Sequence, residues 1–320
     1  MQDSNSDSVG VRLVEVSGAE QGQRIDNFLL RRAPGVPRSH VYRIIRKGQV
    51  RVNGGRIKPT RKLQAGDMVR IPPMRLKAAN DVTVPDGLVQ SVRNSIIFEC
   101  DDYLILNKPA GLAVHSGSGL AFGAIDALRQ ARVEPELELV HRLDRGTSGC
   151  LLVARNRLIG RSMQVLFRER KIKKRYLALL DGVWEHGDRT ITAPLAKNQE
   201  HAGERRVMIS ASGQSAVSHF SAIETYSQGT LMQVDIETGR THQIRVHAKY
   251  SGHPVIGDER YGDNARNTSF KRLGLNRLYL HAESLSFKWN GGQVDVLAPV
   301  GRLWEQAMSN LQVDKRSNNA

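Results

Sequence analysis

A chain of 320 residues, 40% of them apolar, is long enough for two domains and has a folded protein's composition, which excludes wholesale disorder. Its polar start, MQDSNSDSVG, lacks the basic and apolar regions of a signal peptide, and no run reaches the roughly 18 apolar residues of a membrane span, so a soluble cytoplasmic protein without membrane contact is expected. The formal charge of +15, from 47 Lys and Arg against 32 Asp and Glu, asks for a polyanionic partner.

Most of that charge lies early. Residues 22–75 carry 14 Lys or Arg against two acids, +12 of the +15, so an electrostatic module is expected ahead of a nearly balanced second domain. In GQRIDNFLLRRA the spacing of Ile25, Phe28 and Leu29 predicts a helix, and SHVYRIIRKG repeats it with Val41, Ile44 and Ile45. Ser39 is read as the N-cap of this second helix and Gly48 as the residue that ends it. Arg43, Arg46 and Lys47 then share the opposite face. QVRVNGG alternates into an Asn-Gly turn, and GDMVRI supplies another short strand.

Two helices on a small sheet, with arginines projecting from one face, suit a phosphate backbone without base readout. A merely solvated charged face would intersperse acids, and here they are almost absent. Arg43, Arg46 and Lys47 are therefore the expected RNA anchor. RIDNFLL, GVPRS and KGQVRVNGGRIKP resemble the S4 RNA-binding domain. The expected order is a flexible start over 1–19, the S4-like domain over 20–75, and a linker over 76–92, where periodicity and charge both fade.

From residue 93 strands dominate: SIIFECDDYLILNKP, CLLVAR, KRYLALLDG, HFSAIETY, TLMQVDIETG and LYLHAESLSF. Helical patterns fall at 121–132, 157–170 and 241–251, the last capped by Thr238 or Thr241 and ended by Gly252. The fold class is thus α+β, with a domain over 93–308 on a mixed, mainly antiparallel sheet and a disordered tail over 309–320. Cys100 and Cys150 form no CxxC pair and are read as buried, reduced thiols. GSGLAFG misses the dinucleotide spacing and is read as a flexible loop, and no P-loop motif is present. His242 and His247, five apart, would sit about 140° apart on a helix, so no shared metal is expected from them.

VHRLDRGTSGCLLVAR sets Asp144 between Arg142 and Arg145. An acid so placed is most often an exposed salt-bridge partner. Its context adds to this: a loop feeds a strand here, and Gly146 and Gly149 let the chain bend and approach a ligand closely. Positive neighbours would keep the carboxylate ionised, as a nucleophile needs, while drawing in a phosphodiester. No second acid stands nearby for a paired-carboxylate hydrolase. Tyr176, read alone, is a core aromatic of a strand.

HRLDRGTSG, KKRYLALLDG, TGRTHQIRVHAKYSGHPVIGDERYG and LNKPAGLAVHSGSG resemble the motifs of the RluA-type pseudouridine synthases. The resemblance runs from about residue 20 to 305. It implies an isomerase without redox cofactor, ATP or metal, acting on 23S rRNA or a large-subunit assembly intermediate; nothing in the sequence suggests an obligate protein partner, and a monomer is expected. It implies Asp144 as nucleophile, Arg245 as the guanidinium that holds it bidentately, and Tyr176 as the aromatic that stacks on uracil. Ile244 corresponds to the apolar position against the base, and Arg142 to the residue that fills the space of a flipped-out uridine. Lys108 and His141, inside the same motifs, are taken as substrate-binding. Many relatives carry an acid where this chain has Gly146. A non-catalytic S4-type ribosome-assembly protein and an RNA hydrolase are the rival readings.

Overall fold

The computed structural model describes residues 10–33, 36, 38–73, 84–116, 120–134, 136–199 and 205–311. The chain divides into two compact units, Met1–Thr83 and Val84–Ala320.

In the first unit, helices α1 (Ile25–Arg32) and α2 (Arg38–Arg46) bury the apolar residues their spacing predicts: Ile25, Phe28 and Leu29 from one, Val41, Ile44 and Ile45 from the other. They share a core with a sheet of strands β1 (Arg12–Glu15), β2 (Arg51–Val52), β3 (Gly55–Arg56) and β4 (Met68–Ile71), in the order β1-β4-β2-β3. The Asn53-Gly54 turn joins β2 to β3 with both residues at positive φ, 49° and 76°, the conformation a two-residue hairpin demands. Gly48, at φ 69°, follows α2 as expected. The helix begins at Arg38, so Ser39 lies in its first turn and does not precede it. The start is also less free than expected. β1 pairs with β4 from Arg12 to Glu15, and Val16 is buried in the core, so of the segment 1–19 only residues 1–9 lie outside the described residues.

The second unit opens earlier than the sequence suggests. Asp86–Arg93 is a helix, α3, and Val84 and Val92 are buried with Tyr103 and Leu128, so the expected linker over 76–92 overlaps the second unit from residue 84; residues 74–83 lie outside the described residues. The spacing of Leu88, Val89 and Val92 is helical, but eight residues flanked by a polar run leave little pattern to read. The large sheet follows the order β10-β13-β14-β9-β15-β8-β6-β5. Its strands are β5 (Ile96–Glu99), β6 (Tyr103–Lys108), β8 (Ser148–Ala154), β9 (Lys173–Asp181), β10 (Arg189–Thr192), β13 (Val217–Thr225), β14 (Gly229–Ile236) and β15 (Leu280–Trp289). Short β7 (Glu138–Leu139) pairs with β8, and β16 (Gly292–Leu297) with β15. Every pairing is antiparallel except β15 with β8.

Helices α4 (Ala124–Arg132), α5 (Arg157–Arg168) and α6 (Gln243–Tyr250) fall where periodicity placed them, while α7 (Asn264–Arg272) and α8 (Arg302–Asn310) were not expected. α8 buries Trp304 and Ala307 and is followed by buried Leu311, so the disordered tail expected over 309–320 is corrected for residues 309–311; residues 312–320 lie outside the described residues. A separate hairpin, β11 (Leu195–Gln199) with β12 (Arg205–Ile209), stands off the main sheet pairing. Cys150 is buried and Cys100 half-buried, and both are free thiols. Of the expected GSGLAFG loop, residues 117–119 lie outside the described residues.

Candidate active site

Asp144 sits in the turn between β7 and β8, where the Thr147 N–H donates to the Asp144 carbonyl at 3.1 Å. The strand that follows is buried along its whole length and pairs on both edges, with β15 and β6, so the turn hangs on a well-held strand. Gly149 is what allows this seating. It has φ 105°, and a Cβ there would lie 2.2 Å from the carbonyl oxygen of Ala282 on β15. The close approach that calls for glycine is therefore to a neighbouring strand, not to a ligand. At Gly146 a Cβ would meet the Leu278 side chain at 3.1 Å.

The charge around Asp144 comes chiefly from a residue 101 positions away. Arg245, in the first turn of α6, donates Nη1–H to Asp144 Oδ2 at 3.0 Å. Its bidentate fork goes elsewhere: Nε and Nη2 hold the two oxygens of Asp258 at 2.7 and 2.8 Å. The expected bidentate grip on Asp144 is thus corrected to a single bond, because Asp258 is fully buried and takes the two strongest donors. Burial works against the Arg245 charge, but Asp258 and Asp144 outweigh it and hold the guanidinium above its ordinary range. Burial likewise opposes the Asp258 carboxylate, and Arg245 with the N–H groups of Arg260 and Tyr261 outweighs that and keeps it below the usual carboxylate range. Arg145, the sequence neighbour, turns its Nε to the Gly111 carbonyl at 2.9 Å.

Five of the expected residues meet in one place. Arg142, Asp144, Tyr176, Ile244 and Arg245 all line a small cavity of about 70 Å³. Tyr176, from β9, is held a phenol chiefly by burial and further by the charge of Asp144, both of which raise its pKa. Ile244 is buried beside Arg245 on α6. Arg142, Asp144 and Arg245 also border a larger cavity of about 940 Å³ that adds Arg206, Lys271 and Arg277 to its walls. Arg277 donates to Ser148 Oγ at 2.8 Å and has no carboxylate within ion-pair distance among the described residues. Such a rim attracts a polyanion.

Two expected substrate-binding residues do something else. Lys108 is fully buried and lines neither cavity; its ammonium donates to the carbonyls of Pro109 and Leu112 at 2.9 and 2.8 Å and lies 3.4 Å from that of Arg145. It ties the 109–112 segment to the turn that carries Asp144. Burial, then the nearby Arg277, lowers its pKa to about 7, against a smaller pull from Asp144. His141 stacks on Phe167 at 4.6 Å, and its Nε2 accepts the Leu152 N–H at 2.9 Å. Burial pushes its pKa to about 3, so it is a neutral acceptor packed under β8 and touches no cavity wall.

The helix cap also differs from expectation. Neither threonine caps α6; His242 does, with φ 57° and ψ 18°. The Thr238 hydroxyl instead donates to Gln243 Oε1 at 2.7 Å. Gly252, at φ 86°, follows the helix as expected. His242 lines both cavities, while His247 is buried between Ser218 and the Ala193 carbonyl. Among the described residues no three His, Cys, Asp or Glu side chains come together as a metal site. Asp258, His242 and Tyr261 were missed as site residues, and within the motif no spacing distinguishes Asp258 from Glu259. In the first unit, Arg43, Arg46 and Lys47 are exposed, and Arg43 bonds His40 Nδ1 at 2.8 Å.

Comparison with known proteins defines the class. A profile for RNA pseudouridylate synthases matches residues 102–250, and one for the S4 domain matches 23–69. The chain belongs to the RNA pseudouridylate synthase family, RluA type, and is an isomerase of that family with an S4 domain before its catalytic domain. Among its curated relatives, the ribosomal large subunit pseudouridine synthase C of Haemophilus influenzae is 50% identical over 87% of each chain. That of Escherichia coli K12 is 48% identical over 89% of this chain and 91% of its own. Of solved structures, human RNA pseudouridylate synthase domain containing 1 is 29% identical with a TM-score of 0.56, covering 64% of this chain and 83% of that one. Human RNA pseudouridylate synthase domain containing 4, at 23% identity and TM-score 0.60 over 72% and 97%, shares the fold.

Proposed function

We propose that this chain isomerises uridines of 23S, large-subunit ribosomal RNA to pseudouridine, with Asp144 as the nucleophile. The observation that carries the reading is the meeting of Asp144, Arg245, Tyr176 and Ile244 around one small cavity that shares Asp144 with a wide basic one. The wide cavity suits a phosphodiester chain, and the small one suits the face of a single flipped base. The large-subunit target is supported by relatives, 50% and 48% identical, that are ribosomal large subunit pseudouridine synthases.

Asp144 attacks the uridine at its sugar or its base, and the N1–C1′ bond of uracil and ribose breaks. The freed base rotates against Tyr176 and Ile244, C5 bonds to C1′, the C5 proton leaves to water and N1 gains one. Release of the carboxylate returns the enzyme unchanged. Arg245, bonded to Asp144 Oδ2, limits the orientation of the carboxylate. Arg142, exposed at the mouth of both cavities, fills the gap left in the RNA stack.

The test uses unmodified 23S rRNA carrying tritium at uracil C5. The wild type is expected to release tritium to water, and Asp144→Asn to release none while still binding RNA. Equal release by both proteins would remove Asp144 from the chemistry. Silence from both, with binding retained, would favour an S4-type binding protein.

A further inference from the structure

We propose that His242 is a positioning residue for Asp144: Tyr261 orients its ring so that Nε2–H faces the carboxylate, which His242 and Arg245 together confine. The inference rests on the reading of Asp144 as the nucleophile.

A chain of three contacts carries it. The Val207 N–H on β12 donates to the Tyr261 hydroxyl oxygen at 3.1 Å. That hydroxyl lies 2.7 Å from His242 Nδ1. On the far side of the ring, Nε2 lies 3.7 Å from Asp144 Oδ2. An amide can only donate, so it occupies a lone pair of the phenol and leaves the phenolic hydrogen for Nδ1. With Nδ1 accepting, the proton of a neutral imidazole sits on Nε2. The opposite tautomer would aim a bare lone pair at a carboxylate.

The ring is held by more than this chain. It packs edge-on against Tyr261, with centroids 5.4 Å apart, and its side chain is only 14% exposed. Its backbone is left-handed at φ 57°, a conformation rare for a residue with a Cβ and one that tends to be retained where it aims a functional group. The charged groups facing it are Asp144 and Asp258, which favour protonation, and Arg245 and Arg260, which oppose it. Burial is the largest influence, and the pKa is lowered overall, so the ring donates one N–H and no positive charge at neutral pH. The 3.7 Å separation exceeds a hydrogen bond; such catalytic contacts are commonly long before substrate enters and tighten with it.

Arg245 reaches the same oxygen, Oδ2, so both donors act on one side of the carboxylate and leave Oδ1 free to attack. Orientation of a nucleophile acts on turnover more than on binding.

The experiment measures kcat and KM by tritium release from 23S rRNA for the full chain and for His242→Ala, His242→Gln, Tyr261→Phe and Asp144→Asn. His242→Ala is expected to lose up to about 100-fold in kcat, with KM changed less than about threefold. His242→Gln, whose amide can donate from nearly the position of Nε2, is expected to recover most of that loss. Tyr261→Phe, which removes the orienting hydroxyl, is expected to lose an intermediate amount. Wild-type kcat in His242→Ala, with Asp144→Asn inactive, would overturn the role of His242 alone. If His242→Ala does not fold, equal loss in the glutamine variant and none in Tyr261→Phe would overturn it as well. Full activity in Asp144→Asn would instead remove the reading on which the inference stands.

Discussion

The two units place their cations in opposite settings. On α2 and in the turn that ends it, Arg43, Arg46 and Lys47 stand exposed, with no carboxylate within ion-pair distance among the described residues. On α6, Arg245 is 11% exposed and bound to two carboxylates. Exposed cations keep their hydration and their mobility, so they add affinity that salt can screen and little geometry. A buried guanidinium has lost its water and must be held by fixed partners, so it sets positions and tolerates no loss of a partner. A cation is thus suited to affinity in the one setting and to aim in the other, and burial decides which.

The largest test of this contrast is Arg245→Ala. It frees Asp144 and leaves the Asp258 carboxylate buried without its partner, so turnover should be lost and stability should fall by about 3–5 kcal/mol. Thermal unfolding and tritium release measure the two effects; loss of turnover at an unchanged midpoint would mean that Asp258 is solvated well enough to stand alone. A second test concerns the neutral, half-buried ring of His141. Its folded pKa, about 3, lies below the ordinary 6.5, so the unfolded chain binds the extra proton between those values. Stability is therefore expected to fall as pH drops from 6.5 towards 3, with this ring contributing up to about 1.4 kcal/mol per pH unit. His141→Gln, which can still accept the Leu152 N–H, should flatten that part of the curve in denaturant titrations at stepped pH.

The smallest effect on the fold and a clear one on binding are expected from replacing Arg43, Arg46 and Lys47 together by glutamine. The midpoint of unfolding should not move. The slope of log affinity for rRNA against log salt should shrink by about 2–3, one counterion or slightly less per lost phosphate contact. An unchanged slope would mean that α2 does not face RNA, and a lowered midpoint would mean that its cations hold structure after all.

Legibility in the sequence followed the range of the interactions. The apolar spacing of α1, α2, α5 and α6 and the alternation of the central strands are local, so they could be read directly. β1 could not: RLVE is four residues whose only reason to be a strand is the edge of β4, more than fifty positions later. α3 and α8 went unread although they are as long as α1 and α2, and both settle through buried side chains, Val92 and Trp304, with partners far along the chain. At the site, the motifs singled out Asp144, Tyr176, Ile244 and Arg245, and the structure brings these together with Arg142. The motifs misjudged Lys108 and His141, because a motif marks that a residue matters and not whether it faces inward.

By itself, then, the sequence determined the division into a basic module and a balanced domain, the α+β class, and the residues most worth testing as chemistry. Those follow from composition, periodicity and motif, all of which are properties of the chain before it folds. Only the tertiary structure decided which carboxylate takes the fork of Arg245, that Gly149 serves a strand crossing, and that His242 and Tyr261 stand behind Asp144. Each of those is a choice between partners equally available in sequence, made by which groups are buried together and must satisfy one another there.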